Sequence, residues 1–559
     1  MESVIREAVV EALKSLGLPE ASFAVEHPAE VSHGDYACNI AMVLAKQVGK
    51  SPRAVAEELQ AALTDQIEYV DRIEIAGPGF LNFYLTRDFF STEISRAQKA
   101  GSSWGKNADE VGEVVLLEYT SPNLFKPLHI GNLVGNIVGE SLARLYEFSG
   151  ATVKRLNYPS DIGPVVAKAV WGLKQTGGDA SDIAALGEAY RFGNDAFDNN
   201  PEAKAEIDAV NQALYAGSDA ELSALRAKGI ATSKQKLDAI CARLGTIFDA
   251  EIFESEVGDV GIGVVRENLG TVFTESEGAI VYEGEKVGLH TRVFINSKGL
   301  PTYEAKDLGN LQKKTDLFPN WTTSIVVTGN EQTEYFKVLF AAVRELYPEV
   351  KDKTLEHIPT GFLTLTTGKM SSRKGNVLTG ESLLEEMEEA ARVKAAETRT
   401  DDIEALTEQV AVAALKYQIL RQSVGSNIVF DKEQALSFEG DSGPYLQYTI
   451  ARIGSVLEKA KEAGVAPSLI EAPTEVFAVE RLVYQFEEVI REALQERAPH
   501  KVVGYLTELA GAFNSFYAHE KIADVADTYA PYKAAVAEAV ATTLKNGLLV
   551  LGMKAPAKM

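Results

Sequence analysis

Apolar residues along the first hundred positions are spaced in a way that predicts helices followed by short strands. Ile5, Val9 and Leu13 share one face of a helix. Residues 79–85 carry a strand signal directly after a Gly-Pro-Gly turn. We therefore predict an α+β domain over residues 1–100.

A nearly continuous apolar run predicts a buried strand at residues 114–118. Such a run is expected where both faces of a parallel sheet are covered. After a loop at 120–131, apolar residues recur at helical spacing from Val134 to Phe148 and stop at Gly150. This strand–loop–helix unit is typical of the start of a doubly wound nucleotide-binding fold.

The rest of the chain alternates between helical and strand-like regions. Residues from about 172 to 245 are helical and acidic, which predicts an insertion between two halves of the sheet. Strand-like segments return at 278–296 and 323–328, and the last quarter is almost wholly helical. The predicted fold is multidomain α/β: a doubly wound parallel-sheet catalytic domain at 108–435, preceded by the α+β domain and followed by an all-α helical bundle at 436–559.

Length and composition fit several globular domains. The 559 residues exceed what one hydrophobic core usually holds, and 46% apolar with 24% charged residues is ordinary for a soluble protein. No apolar run approaches the roughly 18 residues of a membrane helix, and residues 1–6 begin an amphipathic helix, not a signal peptide. Cys38 and Cys241 are too few for a disulfide framework or a thiolate zinc site. We expect a cytoplasmic protein without a structural metal.

The charge balance restricts the kind of partner. A formal net charge of -25 argues, taken alone, against a nucleic-acid partner, because neutralising phosphates needs Lys and Arg. Any RNA binding must therefore use local basic and aromatic patches.

The loop and helix start at residues 129–132 are the first candidate for chemistry. Ligands of open α/β sheets bind at the carboxyl ends of strands, where a helix N-terminus offers free N–H groups to phosphate. His129 and Asn132 add side-chain donors, and Gly131 would let a flat adenine ring approach the backbone. These four residues alone also fit an ordinary capped helix start.

The second candidate is a glycine-bounded loop at residues 368–376, which carries three cations and two hydroxyls. Such a loop can close over a pyrophosphate, although by itself it also fits a solvated run of charges. The two segments stand in this order about 240 residues apart. Together they resemble the two signature motifs of class I aminoacyl-tRNA synthetases.

Resemblance to the arginyl-tRNA synthetase family is longer and covers nearly the whole chain. Residues 121–129 resemble that family's extended first motif, and 369–376 its second. Residues 33–37 and 77–83 resemble its additional amino-terminal domain, and 439–448 its anticodon-binding domain. The resemblance implies an enzyme that uses ATP, with Mg²⁺, to join L-arginine to tRNA(Arg), releasing AMP and pyrophosphate. The family commonly needs bound tRNA before it activates arginine, and we expect the same here.

Two departures from the class pattern concern the catalytic motifs. Asn132 stands in place of a histidine, and Ser372 in place of the second motif's second lysine. The family often lacks that lysine and uses one just ahead of the first motif, which implies a phosphate role for Lys126; a plain surface lysine is the alternative. The implied catalytic residues are His129, Asn132, Lys126, Lys369 and Arg373. The implied ATP-binding residues are Gly131, His129, Asn132, Lys369, Met370 and Ser371.

Carboxylates should recognise arginine, because a guanidinium is planar, always charged and best met by bidentate oxygen acceptors. The resemblance implies Glu118 and Asp307, although any single acidic residue also fits a solvated surface group. It adds a tyrosine beneath the substrate and two amide contacts. The implied arginine-binding residues are Glu118, Asn123, Tyr303, Asp307 and Gln332. Asp161 lies in a further family-like motif but fits a turn cap equally well, so we leave it out of the predicted site.

Contacts to tRNA are expected from a helix that follows Pro444. Its apolar residues form one face, and two tyrosines with an arginine form another, suited to stacking splayed bases. By resemblance this second face meets the anticodon, and a strand near residue 80 reads a base in the tRNA elbow. Tyrosines that simply pack, and ordinary strand packing, are the alternatives. The implied tRNA-binding residues are Phe80, Asn82, Tyr445, Tyr448, Arg452 and Met559.

Three rival functions are less consistent with the residues. Cysteinyl-tRNA synthetases share the helical carboxyl-terminal domain type, but cysteine ligands for a substrate-sensing zinc are absent here. A catalytically inactive paralogue would be expected to lose His129, Lys369 or Glu118, and all three are present. A small-molecule nucleotidylyltransferase would leave the terminal domains without a purpose. We expect a monomer that binds neither DNA nor a membrane.

Overall fold

The structure, a computed structural model, describes residues 1–366, 379–395, 402–556 and 558–559. The chain forms two compact units, each built from three segments. The first unit comprises Met1–Trp104, Ser455–Phe486 and Gly511–Thr543, and the second comprises Gly105–Gly454, Glu487–Ala510 and Leu544–Met559. Within the described residues, no helix has the length and apolar character needed to cross a membrane.

The amino-terminal part of the first unit mixes helices with a small antiparallel sheet. Its elements are α1 (Glu2–Ser15), β1 (Val25–Glu26), β2 (Tyr36–Cys38), α2 (Ile40–Val48), α3 (Pro52–Leu63), β3 (Val70–Ala76), β4 (Phe80–Leu85) and α4 (Arg87–Ala100). The strand order is β1-β2-β4-β3. The predicted face of α1 is buried at Ile5, Val9 and Leu13, and the predicted strand is β4. Two strands precede α2, so the order of elements is more mixed than predicted.

The second unit is organised by a parallel sheet. Its first elements are β5 (Val114–Glu118), α5 (Ile130–Phe148), β6 (Thr152–Asn157), α6 (Pro164–Thr176), α7 (Ile183–Asn199), α8 (Pro201–Ala216), α9 (Ala220–Leu244), β7 (Ala250–Glu251) and α10 (Glu254–Glu267). Then follow β8 (Thr274–Ser276), β9 (Ala279–Tyr282), β10 (Arg292–Ile295), α11 (Tyr303–Leu317), β11 (Thr323–Gly329), α12 (Thr333–Leu346) and β12 (Thr354–Thr360). The sheet order is β12-β11-β5-β6-β7, with every pair parallel. The predicted strand and helix at the start of this fold are thus confirmed.

The acidic helical region is confirmed as α6 to α9, but its place in the sheet differs from the prediction. It lies between β6 and β7, which are neighbours paired at Leu156 and Ala250. It therefore does not separate the two halves of the sheet. The chain reaches the other half only after α10, a separate antiparallel sheet of order β10-β9-β8, and α11. A parallel connection tolerates any length above about a dozen residues, so sequence pattern alone does not reveal which strands it joins.

The remaining elements are mostly helical, as predicted. They are β13 (Leu363–Leu365), α13 (Gly380–Ala395), α14 (Ile403–Leu420), β14 (Ile428–Phe430), α15 (Lys432–Ala435), α16 (Gly443–Glu462), α17 (Ala478–Val483), α18 (Phe486–Gln495), α19 (Pro499–His519) and α20 (Ala530–Val550). The predicted apolar face of α16 is buried at Leu446, Ile450 and Ile453, whereas Leu457 is half-buried.

Candidate active site

The loop that joins β5 to α5, residues 119–129, is here called the signature loop. Thr120, Ser121 and Phe125 have φ angles of 77°, 37° and 68°, in the left-handed region that non-glycine residues seldom adopt. Neighbouring elements hold this conformation. The Ser121 N–H donates to Asn157 Oδ1 at 3.2 Å, and the Phe125 N–H donates to Ser233 Oγ at 3.0 Å. The loop is therefore fixed by β6 and α9.

His129 caps the N-terminus of α5. Its Nδ1 accepts the Gly131 N–H at 3.1 Å. A Cβ at position 131 would stand 3.2 Å from that nitrogen, so glycine leaves room for the cap. Burial, and then the charge of Lys126, lowers the pKa of His129, which keeps the imidazole neutral. The cap uses one ring nitrogen and leaves Nε2 available to a ligand.

Asn132 ties the first turn of α5 back to the signature loop. Its Nδ2 donates to the Thr120 carbonyl at 2.7 Å. Asn136, one turn later, donates to Thr120 Oγ1 at 2.9 Å and accepts from Thr246 Oγ1 at 3.0 Å. The Asn132 amide therefore supports the strained Thr120 backbone, a role that sequence reasoning did not assign to it.

The first of two cavities, here called the loop cavity, has a volume of about 640 Å³. It is lined by the signature loop together with α7, α9 and the start of α13. Lys126 and His129 both face it. Burial lowers the pKa of Lys126, and no ion pair or hydrogen bond to its ammonium is found among the described residues. Four predicted residues lie outside the described part of the chain: Lys369, Met370, Ser371 and Arg373.

The second cavity, here called the carboxylate cavity, has a volume of about 420 Å³ and opens at the carboxyl end of β5. Five predicted residues that are far apart in sequence all line it. They are Glu118, Asn123, Tyr303, Asp307 and Gln332. Asn123 also lines the loop cavity, so this one side chain borders both.

Glu118, the last residue of β5, is held by two side chains of α11. Its Oε2 forms an ion pair with Lys314 Nζ at 2.6 Å and accepts a hydrogen bond from Asn310 Nδ2 at 2.9 Å. All three residues are buried, with at most 4% of each exposed. Within the described residues, the second oxygen, Oε1, has no partner. The carboxylate is thus oriented while one of its oxygens stays available.

Asp307, on α11, is held by a neutral partner. The Tyr335 hydroxyl donates to its Oδ2 at 2.5 Å. Burial, and then the nearby charge of Glu118, raises the pKa of Asp307 to about 7. No described residue pairs with Oδ1. The cavity therefore contains one carboxylate beside a cation and one whose charge depends on pH near neutrality.

Several residues that sequence reasoning missed line this cavity or hold its walls. Asn310 and Lys314 were missed: they stand three and seven residues after the predicted Asp307 on α11, and this periodicity would have placed them on the same helical face. The buried Tyr158 hydroxyl and Ser121 Oγ line the cavity without a hydrogen-bond partner in the described structure. Unpaired buried polar atoms are costly, so they mark places where a polar ligand would fit.

Asp161 serves a structural purpose. Its carboxylate accepts from the Ser255 N–H at 2.9 Å and the Ser255 hydroxyl at 2.6 Å, at the start of α10. It also pairs with Arg226. These contacts match the capping alternative, and Asp161 does not line either cavity.

The residues implied to contact tRNA occupy two places, one in each unit. On α16, the Arg452 guanidinium stands 4.8 Å from the centre of the Tyr448 ring, which is 36% exposed. Tyr445 and Met559 are half-buried. On β4, Phe80 is half-buried and Asn82 is only 4% exposed. Tyr448 and Arg452 thus combine an aromatic plane with a cation, whereas Asn82 offers little surface to a base.

A resident metal is not suggested by the geometry. Among the residues that the structure describes, no group of three or more His, Cys, Asp or Glu side chains is arranged to hold a metal ion. The carboxylate cavity instead suits an organic cation, because carboxylate oxygens face it and their counter-cation is already fixed on one side.

Comparisons of the sequence and of the structure with known proteins point to one family over the whole chain. The family model "tRNA synthetases class I (R), catalytic domain" matches residues 94–432, "DALR anticodon binding domain" matches 446–559, and "Arginyl tRNA synthetase N terminal domain" matches 3–85. The arginine–tRNA ligases of Clostridium perfringens and Ligilactobacillus salivarius are each 31% identical, covering 96% of this chain and 96% and 95% of theirs. The structure of Thermus thermophilus arginyl-tRNA synthetase superposes with a TM-score of 0.81 at 27% identity, covering 100% of both chains.

Proposed function

The chain belongs to the arginyl-tRNA synthetase family, and on that premise we propose that it activates L-arginine with ATP and transfers it to tRNA(Arg). The observation that carries the choice of arginine is the carboxylate cavity. There Glu118 and Asp307 each keep one oxygen without a partner in the described residues. A guanidinium offers several N–H donors in one plane, which two separate carboxylates can accept together.

Arginine would lie with its guanidinium between Glu118 and Asp307. Tyr303, 60% exposed on the cavity wall, offers an aromatic plane beneath the aliphatic stem, and Gln332 offers an amide. Asn123 borders both cavities, which supports placing the backbone end of arginine beside it. In this orientation the arginine carboxylate points toward the loop cavity, where the phosphates of ATP would lie.

In the loop cavity, phosphates would meet Lys126, His129 and the N-terminal N–H groups of α5. Asn132 and Gly131 complete that helix start. We also propose phosphate roles for Lys369 and Arg373, with Met370 and Ser371 beside ATP, on sequence resemblance alone. Mg²⁺ would come with ATP and keep phosphate oxygens as ligands, because the described residues offer no cage for it.

The chemistry then needs positioning and charge stabilisation. An oxygen of the arginine carboxylate attacks the α-phosphorus, the bond to the β-phosphate oxygen breaks, and pyrophosphate leaves with the arginyl-adenylate formed. Fixed cations at the phosphates stabilise the charge that moves onto the leaving group. A 2'-hydroxyl of the terminal adenosine of tRNA next attacks the arginyl carbonyl, and AMP leaves.

Domain roles follow the predicted division of the chain. We assign residues 1–100 to the tRNA elbow, 108–435 to catalysis, with the helical insertion at about 172–245, and 436–559 to the anticodon. The ranges of the three family models support this division. The stacked pair on α16 supports the anticodon assignment of Tyr445, Tyr448, Arg452 and Met559. The assignment of Phe80 and Asn82 to the elbow rests on family resemblance.

The deciding experiment is ATP-dependent charging of unfractionated tRNA with each of the twenty labelled amino acids, using purified protein and magnesium. We expect charging with arginine alone. Charging with another amino acid would contradict the arginine assignment. No charging with any amino acid, together with measurable tRNA binding, would favour an inactive paralogue that only binds RNA.

A further inference from the structure

The two carboxylates of the carboxylate cavity are held by partners of different charge. Glu118 forms an ion pair with the Lys314 ammonium at 2.6 Å and accepts a hydrogen bond from the Asn310 amide. Asp307 accepts only from the neutral Tyr335 hydroxyl in the described structure. Because Lys314 and Asp307 lie on the same helix, α11 sets the position of one carboxylate and carries the other.

Because the two carboxylates lie in a buried site, the difference in charge between their partners matters. Two neighbouring carboxylates in a poorly solvated site resist being ionised together, so one of them tends to keep a proton unless a cation compensates. Lys314 is itself 3% exposed and contacts Glu118, not Asp307. The buried cation therefore compensates the Glu118 carboxylate by direct contact, whereas Asp307 has no cation in contact with it among the described residues.

We propose that Lys314 is a positioning residue for arginine recognition, which holds the Glu118 carboxylate by a buried ion pair to Oε2 and so presents its other oxygen to the substrate guanidinium. This inference rests on the proposed function, since it concerns how the same cavity selects arginine. Asn310 completes the orientation by a hydrogen bond to the same oxygen.

The difference between the two carboxylates predicts that arginine binding releases a proton. Asp307 is the carboxylate that holds an exchangeable proton in the empty cavity, because burial and the nearby charge of Glu118 raise its pKa to about 7. An arriving guanidinium displaces this proton, and the aspartate becomes a second carboxylate acceptor. The charged and titratable groups that influence Asp307 or line the cavity with it are Glu118, Lys314, Tyr335, Glu254, Tyr158, Arg292, Tyr303 and Glu331.

The test compares arginylation kinetics of the full chain with saturating tRNA for the wild type, Lys314→Met, Lys314→Arg, Glu118→Gln and the double variant Lys314→Met/Glu118→Gln. We expect Lys314→Met to raise the KM for arginine at least about tenfold and to leave the KM for ATP within about twofold. Lys314→Arg should recover part of the loss, because it keeps the charge. In the double variant, the loss should be no larger than that of Glu118→Gln alone, because Lys314 acts through Glu118 and its uncompensated charge is also removed.

Three outcomes would overturn the inference: an unchanged KM for arginine in Lys314→Met, an equal rise in both KM values, or losses that simply add in the double variant. Should the Met variant fail to fold, calorimetry on the wild-type protein with tRNA still decides. Arginine titrated at pH 7 in two buffers of different ionisation enthalpy should release about half a proton per site, because about half of the Asp307 side chains are protonated at that pH. No proton release would contradict the assignment. A wild type that charges no arginine would overturn the proposed function as well, which is a different result from kinetics insensitive to Lys314.

Discussion

The carboxylate cavity and the loop cavity border the same signature loop but differ in how their charged side chains are partnered. In the carboxylate cavity, Glu118 and Asp307 are each fixed through one oxygen by a neighbour. In the loop cavity, the half-buried Lys126 ammonium has no ion partner among the described residues, and burial lowers its pKa. The carboxylates of the first cavity are oriented before a ligand arrives, whereas the second cavity holds a cation without an ion partner in the described part of the chain.

This difference suits the two proposed ligands. Arginine must be distinguished from other amino acids, which requires acceptors fixed at defined positions. Negative charge builds up on the phosphate oxygens as pyrophosphate leaves. A partly desolvated cation without an ion partner among the described residues stabilises this charge as it develops. Substitutions in the carboxylate cavity should therefore alter arginine binding, and substitutions in the loop cavity should alter the use of ATP.

The largest effect is expected for Glu118→Gln. The substitution removes the charge that meets the guanidinium and leaves Lys314 without its counter-ion, so kcat/KM for arginine should fall between about tenfold and a hundredfold. Steady-state arginylation at varied arginine concentration measures it. Glu334→Gln is the control, because Glu334 is an exposed carboxylate on α12 that pairs with Lys337 on the same helix. An unchanged rate for Glu118→Gln would remove this residue from the site.

A comparable change on the loop side is Lys126→Met. Loss of the unpaired ammonium should lower kcat/KM for ATP about tenfold, while the KM for arginine stays within about twofold. Lys236→Met is the matched control, because Lys236 lines the same cavity but is already paired with Glu381. A similar loss in both variants would show that general positive charge, and not the unpaired state of Lys126, matters.

The pH dependence of arginine recognition should be milder and comes from Asp307. With a pKa of about 7, about a tenth of this group is ionised at pH 6 and about nine tenths at pH 8. The guanidinium prefers the ionised form, so the KM for arginine should fall by up to about tenfold as pH rises through this range. Kinetics at several pH values, with the KM for ATP as an internal reference, measure it. Asp307→Asn should make the KM for arginine nearly independent of pH. A wild-type KM for arginine that rises with pH would contradict the assignment to Asp307.

The sequence pattern alone was sufficient to predict those helices and strands in which buried positions recur at regular spacing. The faces of α1 and α16 and the strand β5 follow from spacing alone, because side-chain direction repeats along a helix or strand. The position of α6–α9 between neighbouring strands was not predictable, since strand order is a matter of tertiary contact. The same holds for Tyr335, which meets Asp307 across 28 positions of sequence. Lys314 is intermediate, because its helical spacing from Asp307 was visible but its partner on β5 was not.

The smallest effect is expected for Asn132→Ala, at the position where the class motif has a histidine. In this structure the Asn132 amide supports Thr120 at 2.7 Å, and Thr120 has a positive φ. Losing that hydrogen bond should cost about 1 kcal/mol of stability and reduce kcat only a few-fold, because the loop keeps its contacts to β6 and α9. Thermal unfolding and single-turnover arginylation measure the two effects. A loss of kcat/KM for ATP as large as that of Lys126→Met, without a change in stability, would instead place the Asn132 amide on the phosphates and make the two sides of the signature loop more alike than their geometry indicates.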